Sequence, residues 1–243
     1  MGVGNSKKKK SSSESIKTFI NPSKKNMASS KNKKKDSAKG QRTEIINYLK
    51  EKNLPFAKAK MECLIKDEYY INACNYLEPI LDKLNDKSKD IDSATECPAD
   101  LRAQLDSVIF ATSKLGIQEF VNLKEFITKK YGQNYITKAE NNEDKKINQD
   151  LIEFLSSNKI PDTILTIRLK QLCKEENIQF EFQADAIPNP NIGQSIALVT
   201  NPYSGQTQFP MDYEENNKNN NPFLQPDNCP KNPFEGNNQP YYS

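Results

Sequence analysis

The sequence predicts an all-α fold, and three observations support this prediction. Between Arg42 and Phe180 the apolar residues recur at spacings of three and four, which is the period of a helix buried along one face. No window in that region alternates strictly over the length of a strand, except for the short stretch 178–182. Gly116 and Gly132 each follow a helical pattern, where glycine commonly ends a helix.

The first two predicted elements are a short helix and a long one. Residues 42–52 (RTEIINYLKEK) predict the short helix, and two apolar stripes on one broad face predict the long helix from about Pro55 to Leu84. Pro55 suits a first helical turn, because the N–H that it lacks has no partner there. Pro79 is expected to kink the helix near its end.

Four shorter helices are predicted after the long one. The first begins near Pro98, the second ends at Gly132, and the segments 147–158 and 161–178 supply the other two. Each carries apolar residues along one face. The last has Pro161 at its first helical position, where proline is favoured.

Charge and composition divide the chain into three parts. Residues 1–40 contain 12 lysines against Glu14 and Asp36, about +10, whereas the whole chain carries only +3. Residues 184–243 hold 9 of the 14 prolines and 12 asparagines, with too little apolar surface to offset the entropy of ordering them. We therefore predict a basic, largely disordered membrane-anchoring segment at 1–40, a helical domain at 41–183 and a disordered Asn/Pro-rich tail at 184–243.

Enzymatic and metal-binding functions are not indicated. Histidine, the commonest general base and metal ligand, is absent, and the five cysteines form no CxxC pair. Gly116 and Gly132 are the only glycines within 41–183, which is too few for a phosphate-binding loop. We expect no catalytic residue, no cofactor and no metal site. No run approaches the ~20 apolar residues that cross a bilayer, so any membrane attachment is expected to be peripheral.

The order of the helical segments resembles a known family. The strings CLIKDEYYINACNYLE at 63–78 and KKYG at 129–132 are the most specific parts, and PDTILTIRLKQLCKEENIQFE follows them in the same order as in that family. Over about 42–182 the chain resembles the increased-sodium-tolerance family of ESCRT-III-like helical proteins, which regulate the AAA ATPase vacuolar protein sorting four in the multivesicular body pathway.

The resemblance implies an ESCRT-III-like helical bundle in which a long helical hairpin packs against shorter helices. It also implies a subunit or regulator of ESCRT-III polymers. The sequence departs from the family twice. The long basic first helix corresponds to about 10–41, which Pro22 and Gly40 interrupt, so we expect that helix to be missing or frayed and hairpin-based polymerisation to be in doubt. The family's terminal helix, which docks into the MIT domain of the ATPase, has no counterpart in the ending NNQPYYS.

One internal segment reproduces the pattern of that docking helix. An acid, a leucine, an arginine-leucine pair and a further leucine occur at helical spacing: Asp162, Leu165, Arg168, Leu169 and Leu172. The same positions correspond to the last core helix of the family, where the leucines would face the bundle. Core packing is the favoured interpretation, and docking onto an MIT domain is the alternative.

The N-terminus carries a lipidation pattern. MGVGNS fits M-G-x-x-x-[ST], with Gly2 as the acceptor of a myristoyl chain. One such chain binds membranes only marginally, with K of about 10⁴ M⁻¹, and Lys7, Lys8, Lys9 and Lys10 supply a second, polybasic signal for an anionic membrane surface. Nucleic acid is not an expected partner, because residues 1–40 contain one aromatic residue and no arginine.

The C-terminal tail carries two NPF motifs. They are Asn221-Pro222-Phe223 and Asn232-Pro233-Phe234. Asn-Pro favours a tight turn that exposes the phenylalanine as an anchor. The motifs are similar to ligands of the Eps15-homology (EH) domains of endocytic proteins, although an Asn- and Pro-rich composition also produces such triplets.

The leading hypothesis is a non-enzymatic ESCRT-III-associated protein of endosomal and multivesicular body sorting and membrane remodelling. Its expected partners are ESCRT-III subunits, in a homo- or hetero-polymer, and the MIT domain of the ATPase. The alternative is a myristoylated endocytic adaptor that recruits EH-domain proteins. Both hypotheses imply a cytoplasmic protein, peripheral on the cytosolic face of endosomal or plasma membranes.

Gly2→Ala tests the lipid anchor. We expect the variant to move from the membrane to the soluble fraction, because the lysines alone bind weakly and are screened by salt. Cell fractionation and liposome sedimentation of the acylated protein measure this, with Gly4→Ala as the control that keeps the acceptor. Pelleting of the Gly2→Ala protein with liposomes at low and high salt alike would contradict the two-signal anchor.

Overall fold

A computed structural model describes residues 15–156 and 159–182, and these residues form eight helices and no strand. The all-α prediction is therefore confirmed. In chain order the helices are α1 (Lys17–Lys50), α2 (Leu54–Asp86), α3 (Ser88–Ser93), α4 (Arg102–Leu115), α5 (Gln118–Tyr131), α6 (Gln133–Glu140), α7 (Gln149–Phe154) and α8 (Asp162–Glu175).

The first helix corrects the sequence analysis. α1 runs without interruption from Lys17 to Lys50, so the prediction of a broken segment up to residue 41 is wrong for residues 17–40, and the boundary placed between 40 and 41 falls inside a helix. Pro22 lies on its exposed side, and Gly40 faces open space. Proline and glycine lower helix propensity here, but burial of an apolar stripe outweighs that cost.

The long helix was predicted closely. α2 spans Leu54–Asp86 against a predicted 55–84, and it continues through Pro79, which is exposed. A turn of three residues joins α1 to α2, and Asn53 N–H donates to the Tyr48 carbonyl at 2.8 Å to close it. α1 and α2 therefore form the predicted helical hairpin.

The chain divides into two compact units, and residues 15–30 and 73–155 form the first. Its fully buried side chains come from the start of α1, the end of α2 and helices α3 to α7. Phe120 of α5 is the largest of them, and Ile20 and Leu81 lie in the same unit. Gly116 ends α4 in the left-handed region (φ 66°), as predicted from the sequence.

A single carboxylate anchors the start of α1 in this unit. Asp92 accepts hydrogen bonds from the Ser15 hydroxyl at 2.6 Å and from the Ile16 N–H at 2.9 Å. Its own carbonyl accepts from Lys130 Nζ of α5 at 2.9 Å. An acceptor contributed from 76 residues away thus satisfies an N–H group that the first turn of a helix leaves without a partner.

The second unit contains residues 31–72 and the described residues from 156 to 182. Its core is one cluster of buried side chains from α1, α2 and α8, including Leu49, Met61 and Leu169. The stretch 178–182, the one strand candidate, forms no strand; its Phe180 and Phe182 pack against this cluster instead.

Two short helices were not predicted. α3 has only six residues, and five of them are polar or charged, so no periodic pattern marks it. α6 buries Tyr135, Ile136 and Ala139, but it directly follows Gly132, which was expected to end helical structure. None of the helices in the described ranges combines the length and the apolar character needed to cross a bilayer.

Asp92→Ala tests the contact at the start of α1. We expect the free energy of unfolding to fall by about 1–2 kcal/mol, because the Ile16 N–H and the Ser15 hydroxyl lose their acceptor. Urea denaturation followed by circular dichroism measures the change. The control is Asp90→Ala on the same helix, where the carboxylate is exposed and pairs only with Lys87. Its effect should stay within about 0.5 kcal/mol, and equal losses in the two variants would contradict the capping role.

Candidate functional site

The predicted docking residues lie on α8, in the second unit. Leu165, Leu169 and Leu172 are 6%, 0% and 3% exposed and belong to the buried cluster that includes Leu49 of α1 and Met61 of α2. The apolar face of the pattern is therefore covered by the chain itself. An MIT domain can reach these leucines only if α8 leaves the cluster.

The two polar residues of the pattern are also paired within the unit. Arg168 NH2 donates to both carboxylate oxygens of Glu68 on α2, at 2.7 and 2.6 Å, and the two side chains are only 12% and 18% exposed. Nearer the start of α8, Lys58 Nζ donates to Asp162 Oδ2 at 2.8 Å. Both charged residues of the docking pattern thus have partners of opposite charge on α2.

A third ionic contact holds the end of α8. Arg42 of α1 donates to Glu175 at 2.9 Å and to Glu176 at 2.8 Å. These side chains are 35–42% exposed, so the pairs stabilise the unit only modestly. Arg42 nevertheless holds the pKa of the Glu175 carboxyl below its usual range through its hydrogen bond.

Burial and Arg168 act on the pKa of Glu68 in opposite directions. Burial raises the pKa of the Glu68 carboxyl, and the charge and hydrogen bonds of Arg168 oppose that rise. A charge that leaves water needs an opposite charge and hydrogen bonds in return. The NH2 group of Arg168 supplies both, since it donates to the two carboxylate oxygens.

A second buried carboxylate joins α1 to α2. Asp67 accepts from Lys34 Nζ at 2.8 Å and from Gln41 Nε2 at 3.1 Å, and its residue is 4% exposed. Closer to the turn between α1 and α2, Lys60 Nζ lies 2.6 Å from Glu44 Oε2. The sequence analysis missed all these partners, because acids and lysines are frequent in the chain and nothing in the sequence pairs residues that are 16 to 134 positions apart.

The outer side of α1 is strongly basic. Helix α1 contains ten basic residues and two acidic ones. Within the second unit, Lys33 and Lys39 are exposed and Lys35 is half-buried. They lie at different angles around the helix, and we call these three lysines the basic residues of α1. Long cationic side chains on one helix suit an extended anionic surface.

The first unit has a groove between α2 and α4. Its volume is about 380 Å³, and it is open to solvent. Tyr76 and Ile80 of α2 line it on one side, Ser107 of α4 on another, and Lys146 and Asn148 from the loop before α7 on a third. A groove between two helices is the common receptor for a third, amphipathic helix.

A buried polar network in the first unit was also missed. The Tyr135 hydroxyl donates to Asp106 at 2.7 Å, and the Arg102 guanidinium lies over the Tyr135 ring and donates to Asp144 at 2.9 Å. Cys97 Sγ lies 3.4 Å from the Tyr135 hydroxyl, and burial raises the pKa of its thiol. A neutral thiol is a poor nucleophile, so this cluster fits a structural role that links α4 to α6.

The remaining candidate residues lie outside the described ranges. They are Gly2, Lys7, Lys8, Lys9 and Lys10 at the N-terminus and the two NPF motifs, 221–223 and 232–234. Among the residues that the structure describes, no group of three or more cysteine and carboxylate side chains is placed to hold a metal ion.

Comparison with known proteins identifies the family. The model of the family described as Ist1, regulator of Vps4 activity in the MVB pathway, matches residues 17–179. The chain belongs to the Ist1 family. The match begins at the first residue of α1 and ends beyond α8, so it includes both compact units.

Two Ist1 proteins illustrate the relationship. An IST1-like protein of Dictyostelium discoideum is 22% identical over 150 residues, which is 62% of this chain and 41% of the relative. The chain thus matches about two fifths of that protein's length. The crystal structure of the Ist1 N-terminal domain of S. cerevisiae, in complex with a Did2 MIM motif, has a TM-score of 0.62 at 16% identity and covers 75% of this chain and 96% of the yeast one. The similarity to the yeast domain supports the helical fold described for this chain.

Two positions on α8 separate core packing from docking. We expect Leu169→Ala to lower the free energy of unfolding by about 2–5 kcal/mol, because the side chain is fully buried and its removal leaves a cavity. Ile167→Ala on the same helix should cost less than about 1 kcal/mol, because Ile167 is 39% exposed. Urea denaturation measures both. A Leu169 variant that is as stable as the Ile167 variant but has lost MIT-domain binding would favour docking.

Proposed function

We propose that this chain is a non-enzymatic, ESCRT-III-associated protein of endosomal and multivesicular body sorting, which binds ESCRT-III subunits or the disassembly ATPase at the membrane. The observation that carries the proposal is the Ist1 family match over 17–179, which includes the whole of the α1–α2 hairpin and α8. Two further features of the chain support the proposal: a basic region that suits a membrane surface, and a groove that suits a bound helix.

The membrane element is the N-terminal region together with the basic residues of α1. Each lysine near an anionic leaflet is worth about 1 kcal/mol. Because α1 is continuous, the lipid on Gly2 and the lysines at 7–10 would add to the membrane contact of a first helix, and no replacement for that helix is needed. The anchor would hold the protein on the cytosolic face of endosomal or plasma membranes.

The groove between α2 and α4 is our candidate receptor for an ESCRT-III segment. The yeast relative was crystallised with a MIM motif of Did2. Tyr76 and Ile80 offer apolar surface to a bound helix, and Lys146 offers a cation for its acidic side chains. The NPF motifs of the tail would supply separate, weak contacts to EH-domain proteins, which two copies on one chain strengthen by avidity.

Affinity purification tests the proposal. The full-length chain is tagged at its C-terminus, expressed in cells, and its partners are identified by mass spectrometry. We expect ESCRT-III subunits or the ATPase to be retained, because the folded region of this family acts in that pathway. Retention of neither class would overturn the proposed function.

A matched variant separates the tail from the helical region. Phe223→Ala combined with Phe234→Ala should abolish retention of EH-domain proteins and leave the ESCRT-III partners unchanged, since the substitutions lie outside residues 17–179. Loss of both sets of partners would show that the tail recruits the ESCRT-III proteins indirectly.

A further inference from the structure

A serine on α1 lies beside the buried carboxylate of Asp67. Gln41 Nε2 donates to Ser37 Oγ at 3.0 Å and to Asp67 Oδ2 at 3.1 Å, so one amide group bridges the hydroxyl and the carboxylate. Ser37 is exposed, whereas Gln41 and Asp67 are buried. We propose that Ser37 is a phosphorylation site, and that a phosphate on it loosens the packing of α1 against α2 within the second unit.

The residues before Ser37 suit a serine/threonine kinase that selects basic substrates. Lys33, Lys34 and Lys35 lie four, three and two positions before the serine. Kinases choose their substrates partly by such charge patterns. The reaction transfers the γ-phosphoryl group of ATP to Ser37 Oγ: an O–P bond forms at the serine, the bond from the γ-phosphorus to ADP breaks, and the hydroxyl proton passes to a base of the kinase.

The stretch of α1 around Ser37 is made of weak helix formers. Asn32, Asp36 and Gly40 all have low helix propensity, and Gly40 faces open space. Local opening of this stretch therefore needs less free energy than opening of a stretch of strong helix formers. Opening gives a kinase access to the serine and to the lysines before it.

A phosphate on Ser37 competes with Asp67 for the partners of that carboxylate. Lys34 Nζ lies 2.8 Å from Asp67 Oδ1, and Lys34 is three positions before Ser37, on the same side of α1. Phosphoserine carries about −1.5 to −2 charges at pH 7 and three strong acceptor oxygens. It therefore draws Lys34 and the Gln41 amide towards itself and repels the carboxylate. Asp67 then keeps a buried charge without full compensation, which destabilises the contact between α1 and α2.

The phosphate also adds negative charge among the basic residues of α1. It offsets the charge of up to two of those three lysines, so the attraction of the helix to an anionic membrane falls. This second effect rests on the proposed function. The loosening of the hairpin requires neither a membrane nor an ESCRT-III partner.

Phosphosite mapping tests the assignment of the site. The full-length chain is incubated with ATP and either protein kinase A or protein kinase C, which both select basic substrates, and mass spectrometry locates the phosphate groups. We expect phosphate on Ser37 of the wild type and none at that position in Ser37→Ala. A wild-type chain without phosphate on Ser37 after both treatments would overturn the assignment.

Phosphoserine incorporated at position 37 during synthesis tests the structural consequence. We expect the Tm to fall by about 3–6 °C, because a buried carboxylate loses its partners. Amides of 31–50 and 54–72 should exchange hydrogen faster than in the unmodified chain. With Asp67→Asn in the same chain the phosphate should lower the Tm by less than half as much, because the buried charge is no longer present.

Phosphoserine at position 29 is the matched control. Ser29 is exposed on the same helix and lies eight positions before Ser37, so its phosphate adds equal charge without reaching Asp67. We expect the control to leave the Tm almost unchanged. Equal falls for positions 29 and 37, or a fall at 37 that persists in full with Asp67→Asn, would overturn the proposed mechanism. The measurement contains no ESCRT-III protein, so its failure leaves the purification test of function unaffected.

Discussion

The carboxylate of Glu68 is the constraint around which the second unit is organised. It lies mostly buried on α2, where water solvates its charge only in part, and the NH2 group of Arg168, which donates to both carboxylate oxygens, compensates for the lost solvation. Removing one member of a buried pair commonly costs about 3–5 kcal/mol, and the residual exposure of this pair places it towards the lower end. The ion pair favours the packing of α8 on the hairpin that places Arg168 opposite Glu68.

The same constraint explains why the docking pattern on α8 fits the hairpin of this chain. The pattern of acid, leucine, arginine-leucine and leucine is what a docking helix needs, and it is also what the hairpin of this chain accepts. Asp162 and Arg168 are both ion-paired within the unit, Asp162 with Lys58 and Arg168 with Glu68. A partner that binds α8 and a hairpin that retains it therefore compete for the same atoms.

The amphipathic helices could be predicted from the sequence because a helix that is buried along one face carries apolar residues at spacings of three and four. α2, α4, α5 and α8 were found within a few residues for this reason. α1 was not, because Pro22 and Gly40 lower propensity locally, whereas Ile20 and Met27, both buried, stabilise the helix through contacts that the sequence does not reveal. The docking pattern on α8 was visible, but its partners on α2 were not. Complementary charges about 100 residues apart carry no periodic signal.

The contact between Asp92 and Ser15 limits how far a lipid on Gly2 can lie from the first unit. It fixes the point at which the N-terminal arm leaves the first unit. Ser15 lies thirteen positions after Gly2, so a lipid on Gly2 could lie at most about 45 Å from that point. Charges are screened over about 8–10 Å at physiological ionic strength. A lipid on Gly2, if attached as proposed, would therefore allow the first unit to stand beyond the range of its electrostatic attraction to the bilayer.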